Sequence, residues 1–163
     1  MIMLSCPKCN KPVNTFTTTC PYCKHKITEY DDIRKTDYSL EEMQHLTNIY
    51  DSQKVMDIAD YAHMYVACVN DMIVGCGAIS SFWGKLDESI LLTIFVLPEL
   101  QGKGIGRRII ETLESDEYFL RAKRVEIPSS ITGCEFYRKM GYDFKNGIKE
   151  LDDEKHFRLE KFR

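Results

Sequence analysis

Three glycines occupy every second position of a short stretch that follows the most apolar run of the chain. They are Gly102, Gly104 and Gly106, and the apolar run is SILLTIFVL at 89–97. A glycine loop that leads from a strand into a helix presents backbone N–H groups at the positive end of the helix dipole, and such a loop binds phosphate. A Cβ atom in the loop would keep the phosphate at a distance. The spacing fits neither the Walker A loop, since no Ser or Thr follows the loop lysine, nor the dinucleotide fingerprint, since Arg107 replaces its third glycine.

Four cysteines near the start of the chain have the spacing of a metal site. The segments CPKC at 6–9 and CPYC at 20–23 are separated by ten residues, and each places two thiols two residues apart. Two such turns complete the tetrahedron that Zn²⁺ prefers, so we predict zinc bound by Cys6, Cys9, Cys20 and Cys23. The pattern resembles a zinc ribbon, in which metal binding stabilises a segment with few large apolar side chains. Two disulfides, a CxxC redox pair and a rubredoxin-like iron site are less favoured alternatives.

The elements that must position these residues follow from hydrophobic spacing and from turn residues. The sequence predicts strands at 32–37, 63–69, 72–80, 89–97, 124–128, 142–145 and 156–162, and helices at 39–50, 52–61, 105–114 and 132–140. The strand at 89–97 is a near-continuous apolar run, so we expect it to be buried on both faces. The order of elements predicts a mixed sheet flanked by helices, which is an α/β (α+β) layer fold. We predict two domains, a ribbon at 1–28 and a main domain at 32–163.

Two motifs of the main domain resemble one family. The pattern Q-x-x-G-x-G at 101–106 resembles the acyl-CoA pyrophosphate loop of the GCN5-related N-acetyltransferase (GNAT) superfamily, and VLPEL before it resembles the end of the family's fourth strand. SSITGCEFYRKMGYDF at 129–144 resembles its C-terminal motif. The likeness covers about residues 32–163. It implies the GNAT N-acyltransferase fold, acetyl-CoA as co-substrate, and acetyl transfer to a primary amine by direct attack in a ternary complex. A longer acyl donor remains open.

The resemblance assigns a set of residues to acetyl-CoA. Backbone amides of the glycine loop would bind the pyrophosphate, and the end of the preceding strand would lie beside the pantetheine arm. Ser130 stands where many members carry Asn. The residues implied are Ile94, Phe95, Val96, Gln101, Gly102, Lys103, Gly104, Ile105, Gly106, Arg107, Ser130 and Tyr137.

The resemblance also implies catalytic roles. The amide of Val96 would donate to the thioester carbonyl oxygen, an interaction that strengthens in the tetrahedral intermediate. Tyr137 would protonate the departing CoA thiolate, for which a tyrosine with an ordinary pKa near 10 is suitable. Glu88 is a candidate general base, with Asp87 and Glu126 as rivals, and deprotonation through water is a further alternative.

Composition and charge restrict the partners. The formal net charge is -3, which argues against a nucleic-acid or membrane binder by bulk charge. No apolar stretch approaches the ~20 residues that cross a bilayer, and MIML at the start is too short for a signal peptide. We therefore predict a cytoplasmic protein with no membrane partner. The main domain is acidic, which favours a cationic acceptor such as a polyamine, an aminoglycoside or a protein lysine, and a homodimer is left open.

A second hypothesis assigns the function to the ribbon. It would be an adaptor for nucleic acid or protein, with a CoA-sensing and catalytically weak main domain. Its motivation is a positive charge and two aromatic rings among residues 1–30, namely Lys8, Lys11, Lys24 and Lys26 with Phe16 and Tyr22. Salt-dependent binding to RNA or DNA by this segment would distinguish the two hypotheses.

Overall fold

The computed structural model describes residues 3–5, 8–9, 11–14, 19–24 and 51–163. They fall into two units, one with the residues up to Ile58 and Leu97–Glu99, the other with Ala59–Val96 and Leu100–Arg163. The predicted strand at 32–37, the predicted helix at 39–50 and the predicted domain junction lie outside the described residues. No helix in the described part of the chain is both long and apolar enough to span a bilayer.

The first unit contains a small hairpin and a helix. Strands β1 (Met3–Ser5) and β2 (Pro12–Asn14) pair antiparallel. The helix α1 (Ser52–Ala59) lies within the range predicted for it. It begins where the Asp51 side chain accepts a hydrogen bond from the Lys54 N–H at 2.8 Å, which satisfies one amide of the first turn.

The second unit is built on a six-stranded mixed sheet, which confirms the predicted α/β class. Its strand order is β3-β4-β5-β6-β8-β7, and the β5–β6 pair is parallel while the others are antiparallel. The strands are β3 (His63–Val69), β4 (Met72–Ser81), β5 (Glu88–Val96), β6 (Arg124–Ser129), β7 (Asp143–Phe144) and β8 (Phe157–Phe162). The turn between β3 and β4 has Asn70 and Asp71 at φ of 49° and 61°, as the Asn-Asp hairpin signal predicts.

Three helices accompany the sheet: α2 (Ile105–Leu113), α3 (Glu117–Arg121) and α4 (Cys134–Lys139). The apolar stripe of α2 is buried through Ile109, Ile110 and Leu113, and it joins a core with residues of β4, β5, β6 and β8. The helix approaches β4 closely, because a Cβ on Gly77 would lie 2.6 Å from Ile109 Cγ2.

Three expectations about local structure need correction. The sequence did not predict α3, whose first turn is capped by the buried Asp116 carboxylate accepting the Tyr118 N–H at 2.7 Å. The strand β5 is not buried on both faces throughout, since Phe95 remains 46% exposed. The reason is that β6 pairs with only the beginning of β5. The helix α4 starts later than predicted, because the Ser130 side chain accepts the Gly133 N–H at 3.1 Å and holds a turn there.

Candidate active site

A fork between two parallel strands forms the centre of the candidate site. The strand β5 pairs with β6 only at Glu88, Ser89 and Ile90. Beyond Ile90, β6 continues its pairing with β8, and β5 continues its pairing with β4 alone. Residues 91–96 of β5 therefore have an edge that no described strand covers. Backbone groups that point outward along such an edge can pair with an extended ligand as a further strand would.

The backbone direction at the end of β5 can be read from its neighbours. The Phe95 carbonyl oxygen lies close to β4, because a Cβ built on Gly75 would be 2.7 Å from it. The Phe95 N–H also points to β4, since it donates to the Cys76 thiol. Both backbone groups of Phe95 therefore face β4. Successive residues of a strand direct their N–H groups to opposite edges. The N–H of Val96 therefore points to the open edge. The carbonyl oxygen of Val96 accepts a hydrogen bond from Gln101 Nε2 at 3.1 Å, which ties the loop to the strand end.

A β-bulge lies in the middle of this edge. Cys76 pairs with Phe95 and Ala78 with Leu92, so that Gly77 of β4 faces two residues of β5. These two are Thr93 and Ile94, and Thr93 has φ of 49°. Sequence reasoning missed the bulge, because a run of apolar residues shows no alternation that could mark it.

The glycine loop follows this strand after one 3-10 turn at Pro98–Leu100. Gly102 and Gly104 have φ of 74° and 85°, and a Cβ built on either would meet no atom within 4 Å. Gly104 precedes α2 and provides no side-chain cap, so the amides of the first turn depend on another acceptor. A Cβ on Gly106 would lie 3.3 Å from Phe136 Cζ, so this glycine has a packing role between α2 and α4. The loop thus presents uncapped N–H groups to open space.

Three cations surround the start of α2. Lys103, Arg107 and Arg108 have no carboxylate within ion-pair distance among the described residues. They stand at the positive end of the helix dipole, where cations are unfavourable unless an anion is bound. Arg108 was absent from the sequence-based set of site residues. The arrangement suits a ligand with several negative charges.

The side chain of Tyr137 is buried on α4, with 8% of the residue exposed. Burial raises the pKa of Tyr137 above its usual value, so the hydroxyl is protonated at neutral pH. No hydrogen-bond partner for this hydroxyl occurs in the described ranges. Gly133 makes room for the ring, since a Cβ there would lie 3.1 Å from Tyr137 Cε2. Ser130 is bound to the same turn through its contact with Gly133.

The structure does not bring Glu88 to the end of β5. Glu88 begins the strand, and Val96 is eight residues further along, which corresponds to about 25 Å in an extended chain. Its carboxylate is paired with Lys85 at 2.6 Å and with Arg124, and these cations lower its pKa. Asp87 lies at the same end, and its carboxylate is 3.5 Å from Lys123 Nζ.

Glu126 has a different position from the other carboxylates. It pairs with Ile90 at the base of the fork and is 1% exposed. Its carboxylate contacts Arg124, lies 2.8 Å from Lys145 Nζ and lies 3.7 Å from an Arg158 nitrogen. The carboxylate is therefore held among cations at the base of the fork, away from the end of β5.

Three of the four cysteines predicted to bind metal lie together. The Sγ atoms of Cys9, Cys20 and Cys23 are all within 4.8 Å of one another, and those of Cys9 and Cys20 are 3.6 Å apart. A tetrahedral ion with Zn–S bonds of about 2.3 Å holds its sulfurs about 3.8 Å apart. The three thiols therefore fit zinc, while Cys6 lies outside the described residues. Lys24 has φ of 58°, and its N–H donates to the Cys20 carbonyl at 3.0 Å, which closes the second turn.

The surface proposed for nucleic acid is described only in part. Lys11 Nζ lies over the Tyr22 ring, 4.8 Å from its centroid. Of the two aromatic candidates for base stacking, Tyr22 is the one that the structure describes, and Lys11 of the same segment covers one face of its ring.

Comparisons with known proteins agree on one family. A sequence profile described as acetyltransferase (GNAT) domain matches residues 60–143. The PaiA N-acetyltransferase of Thermoplasma acidophilum, solved with coenzyme A, is 18% identical, with 77% of this chain and 80% of that chain covered and a TM-score of 0.63. A GCN5-related N-acetyltransferase of Rhodopseudomonas palustris is 20% identical, with 78% of each chain covered and a TM-score of 0.61.

A third structure was solved with the donor. The GNAT family acetyltransferase of Elizabethkingia anophelis, with acetyl-CoA bound, is 18% identical, with 69% of this chain and 84% of that chain covered and a TM-score of 0.52. These likenesses establish the acyl-CoA N-acyltransferase fold. No protein with a curated description matches the sequence.

Proposed function

The chain belongs to the acetyltransferase (GNAT) family, and on this premise we propose that it transfers the acetyl group of acetyl-CoA to a primary amine by direct attack in a ternary complex. It is an acetyl-CoA-dependent N-acetyltransferase. One observation supports the proposed mode of binding: the open edge of β5 is followed, after one 3-10 turn at Pro98–Leu100, by an uncapped, glycine-lined helix start. An extended arm that carries a diphosphate at one end is complementary to both features.

The diphosphate of acetyl-CoA occupies the glycine loop in this proposal. Amides from Gly102 to Arg107 donate to its oxygens, and the absence of Cβ atoms at Gly102 and Gly104 allows close approach. The side chains of Lys103 and Arg107 neutralise its charge. Gln101 contributes by fixing the loop to the Val96 carbonyl rather than by touching the phosphate.

The pantetheine arm follows the open edge at Ile94, Phe95 and Val96. The acceptor nitrogen attacks the thioester carbon, a C–N bond forms, and negative charge develops on the carbonyl oxygen. The outward N–H of Val96 donates to that oxygen. The C–S bond then breaks, and the CoA sulfur leaves with the bonding electron pair.

Tyr137 stabilises the CoA sulfur as it leaves. Its buried, protonated hydroxyl donates to the sulfur as negative charge develops there. Ser130, which lies in the turn before α4, lines the β6 side of the arm.

Two protons leave the acceptor nitrogen through water, one from its ammonium form before the attack and one from the tetrahedral intermediate before the C–S bond breaks. Glu88 is distant from Val96 and paired with two cations, so we do not assign it as a direct base. Glu126 is nearer to the fork, but its oxygens are shared among three cationic side chains. A water chain needs no side chain with a pKa near neutrality.

The cysteine cluster is proposed to hold a structural zinc ion. Cys9, Cys20 and Cys23 would supply three thiolates, and Cys6 would supply the fourth. Four protein ligands leave no open coordination position, so the ion would stabilise the small hairpin of β1 and β2.

The acceptor is a small molecule or a protein with a primary amine. Isothermal titration of the zinc-loaded protein with acetyl-CoA tests the donor site, and we expect saturable binding of one molecule per chain. A panel of polyamines, aminoglycosides and lysine peptides, followed by release of free CoA, tests the acceptor. Absence of acetyl-CoA binding by folded protein would contradict the proposed function.

A further inference from the structure

Four large apolar side chains are exposed at the end of the sheet where β5 and β6 begin and β8 ends. They are Trp83, Leu86, Leu120 and Phe162. Trp83 and Leu86, at 90% and 80%, have the highest exposed fractions of the large apolar residues in the described part of the chain. Single exposed apolar residues are ordinary, but a contiguous group of them marks an interaction surface.

Two arginines connect these side chains into one surface, which we call the cationic end. Arg121 donates to the Leu86 carbonyl oxygen at 2.9 Å, and Arg163 donates to the Leu120 carbonyl oxygen. Neither guanidinium lies within ion-pair distance of a carboxylate among the described residues. Aromatic side chains and arginine are enriched where proteins bind other proteins.

The lysines at this end of the sheet add little to its charge. Lys123 Nζ lies 3.5 Å from the Asp87 carboxylate, and Lys85 Nζ lies 2.6 Å from that of Glu88. The two arginines therefore give the cationic end its excess of positive charge.

The loop between β7 and β8 has the opposite charge. Residues 148–154, IKELDDE, carry four carboxylates and one lysine, and we call them the acidic loop. Its apolar side chains Ile148 and Leu151 are exposed. The carboxylates of Glu150 and Asp153 have no cation within ion-pair distance in the part of the chain that the structure describes. The acidic loop thus offers apolar side chains and unpaired negative charge together.

The strand β8 places these two surfaces on one face of the sheet. Arg158 and Phe162 are four residues apart on β8, and both point away from the face on which Leu159 is buried in the core. Asp152 of the acidic loop is bound to Arg158 at 2.6 Å, whereas Phe162 belongs to the cationic end. The two surfaces are therefore separated by about 13 Å along the strand.

We propose that two copies of the chain associate face to face about a twofold axis, so that the cationic end of each copy receives the acidic loop of the other. An antiparallel arrangement along β8 makes both contacts at once, and such a pair is closed. The two arginines of each cationic end meet the unpaired carboxylates of the partner loop, and the exposed apolar side chains pack together. A second copy is the favoured occupant because one chain supplies both halves of the charge match.

Sedimentation velocity over a concentration series measures this association. We expect a reversible dimer whose Kd rises roughly tenfold between about 0.05 and 0.5 M NaCl. Arg121→Glu with Arg163→Glu reverses the cationic end, and Glu150→Lys with Asp153→Lys reverses the acidic loop. Each double variant by itself should dimerise about 100-fold more weakly than the wild type, because like charges then face each other in both contacts.

An equal mixture of the two double variants is the decisive sample. In a mixed pair one contact is native, and the other joins a reversed end to a reversed loop, so both contacts are attractive. We expect the mixture to form a heterodimer with a Kd within about tenfold of the wild-type value. Variants that stay monomeric when mixed would overturn the proposal, because a merely structural effect of the substitutions is not restored by mixing.

The only tryptophan of the chain reports on the same surface. The emission of Trp83 should shift to shorter wavelength as the wild type associates. Both double variants should keep the wild-type Kd for CoA, which controls for folding. If the arginine variant does not fold, the loop variant and Trp83→Ser, which removes an apolar side chain from the cationic end, decide the question.

Three results would refute the twofold pair. They are a wild type that stays monomeric at every concentration, association that neither double variant weakens, and polymers larger than a dimer. Binding of a monomeric wild type to vesicles of anionic lipid would likewise refute it and assign the cationic end to a membrane surface.

Discussion

Substitution of Gly104 by alanine separates the conformational role of the glycine loop from its role in ligand binding. Gly104 has φ of 85°, and the added Cβ would meet no atom within 4 Å. The methyl group therefore collides with nothing in the protein, and only the left-handed backbone is penalised, by about 1–2 kcal/mol. For a chain of this size each kcal/mol lowers the melting temperature by roughly 2–4 °C.

The effect on acetyl-CoA binding should be larger than the effect on stability. The methyl group would stand between the loop amides and the diphosphate, and it would remove one charge-assisted hydrogen bond. Such a bond is worth about 1.5–3 kcal/mol. We therefore expect the Kd for acetyl-CoA to rise roughly 10- to 100-fold.

Gly84 provides the matched control. Its φ is 76°, a Cβ built on it would also meet nothing within 4 Å, and it lies in the turn between β4 and β5 at the far end of the strand from the loop. Gly84→Ala should lower the melting temperature by a similar amount and leave the Kd unchanged. Scanning fluorimetry and isothermal titration measure the two quantities. Equal Kd values for both variants would refute a phosphate-binding role for the loop.

Three further predictions concern other residues of the proposed site and the cysteine cluster. Tyr137→Phe should lower kcat about 100-fold with little change in the Kd for acetyl-CoA. The control is Tyr142→Phe, which removes a hydroxyl that donates to Glu114 at 3.0 Å; this variant should keep kcat and lower the free energy of unfolding by about 1 kcal/mol. Burial raises the pKa of Tyr137, and the proposed role needs its protonated form, so deprotonation of Tyr137 should not lower kcat between about pH 7 and 10. A decline of kcat in this range that disappears in Tyr137→Phe would contradict this expectation. Glu88→Gln should change kcat less than about threefold, since Glu88 is paired with Lys85 at the end of β5 distant from Val96. A decrease of kcat of about 100-fold, as expected for loss of a general base, would show that Glu88 deprotonates the acceptor. Elemental analysis should find one zinc per chain, lost in Cys23→Ser and retained in Cys68→Ser, and equal zinc content in both variants would argue against the ribbon.

The features that could be predicted from the sequence are those that depend on residues close together in the chain. The strand at 89–97, the glycine loop and the following helix are adjacent, and each has its own local signal. The motif around Tyr137 likewise combines a helix with a glycine stop. For this reason the boundaries of β3, β4 and α2 were predicted to within one residue.

The features that were missed depend on contacts between distant segments. In an apolar run the alternation that reveals the phase of a strand is absent, so nothing indicated that Thr93 begins a bulge or that pairing with β6 stops at Ile90. The helix α3 exists because its cap, Asp116, is held by the Tyr65 hydroxyl of β3 at 2.7 Å, a contact between residues far apart in sequence. The sequence showed that Glu88 lies at the start of a strand, but it did not show that its carboxylate pairs with Arg124 of β6.

The raised pKa of Tyr137 bears on the role that we propose for its hydroxyl. An ordinary tyrosine, with a pKa near 10, is already a weaker acid than a thiol with a pKa of about 8.5. Burial increases this difference, so complete proton transfer to a free thiolate is unfavourable by more than about 2 kcal/mol. The hydroxyl therefore acts best as a hydrogen-bond donor while the C–S bond is breaking, when the sulfur carries only part of its charge. In the proposed mechanism, most of the rate enhancement then comes from the positioning of the thioester against the Val96 amide, so the geometry of this strand end matters more for catalysis than the acidity of any single side chain.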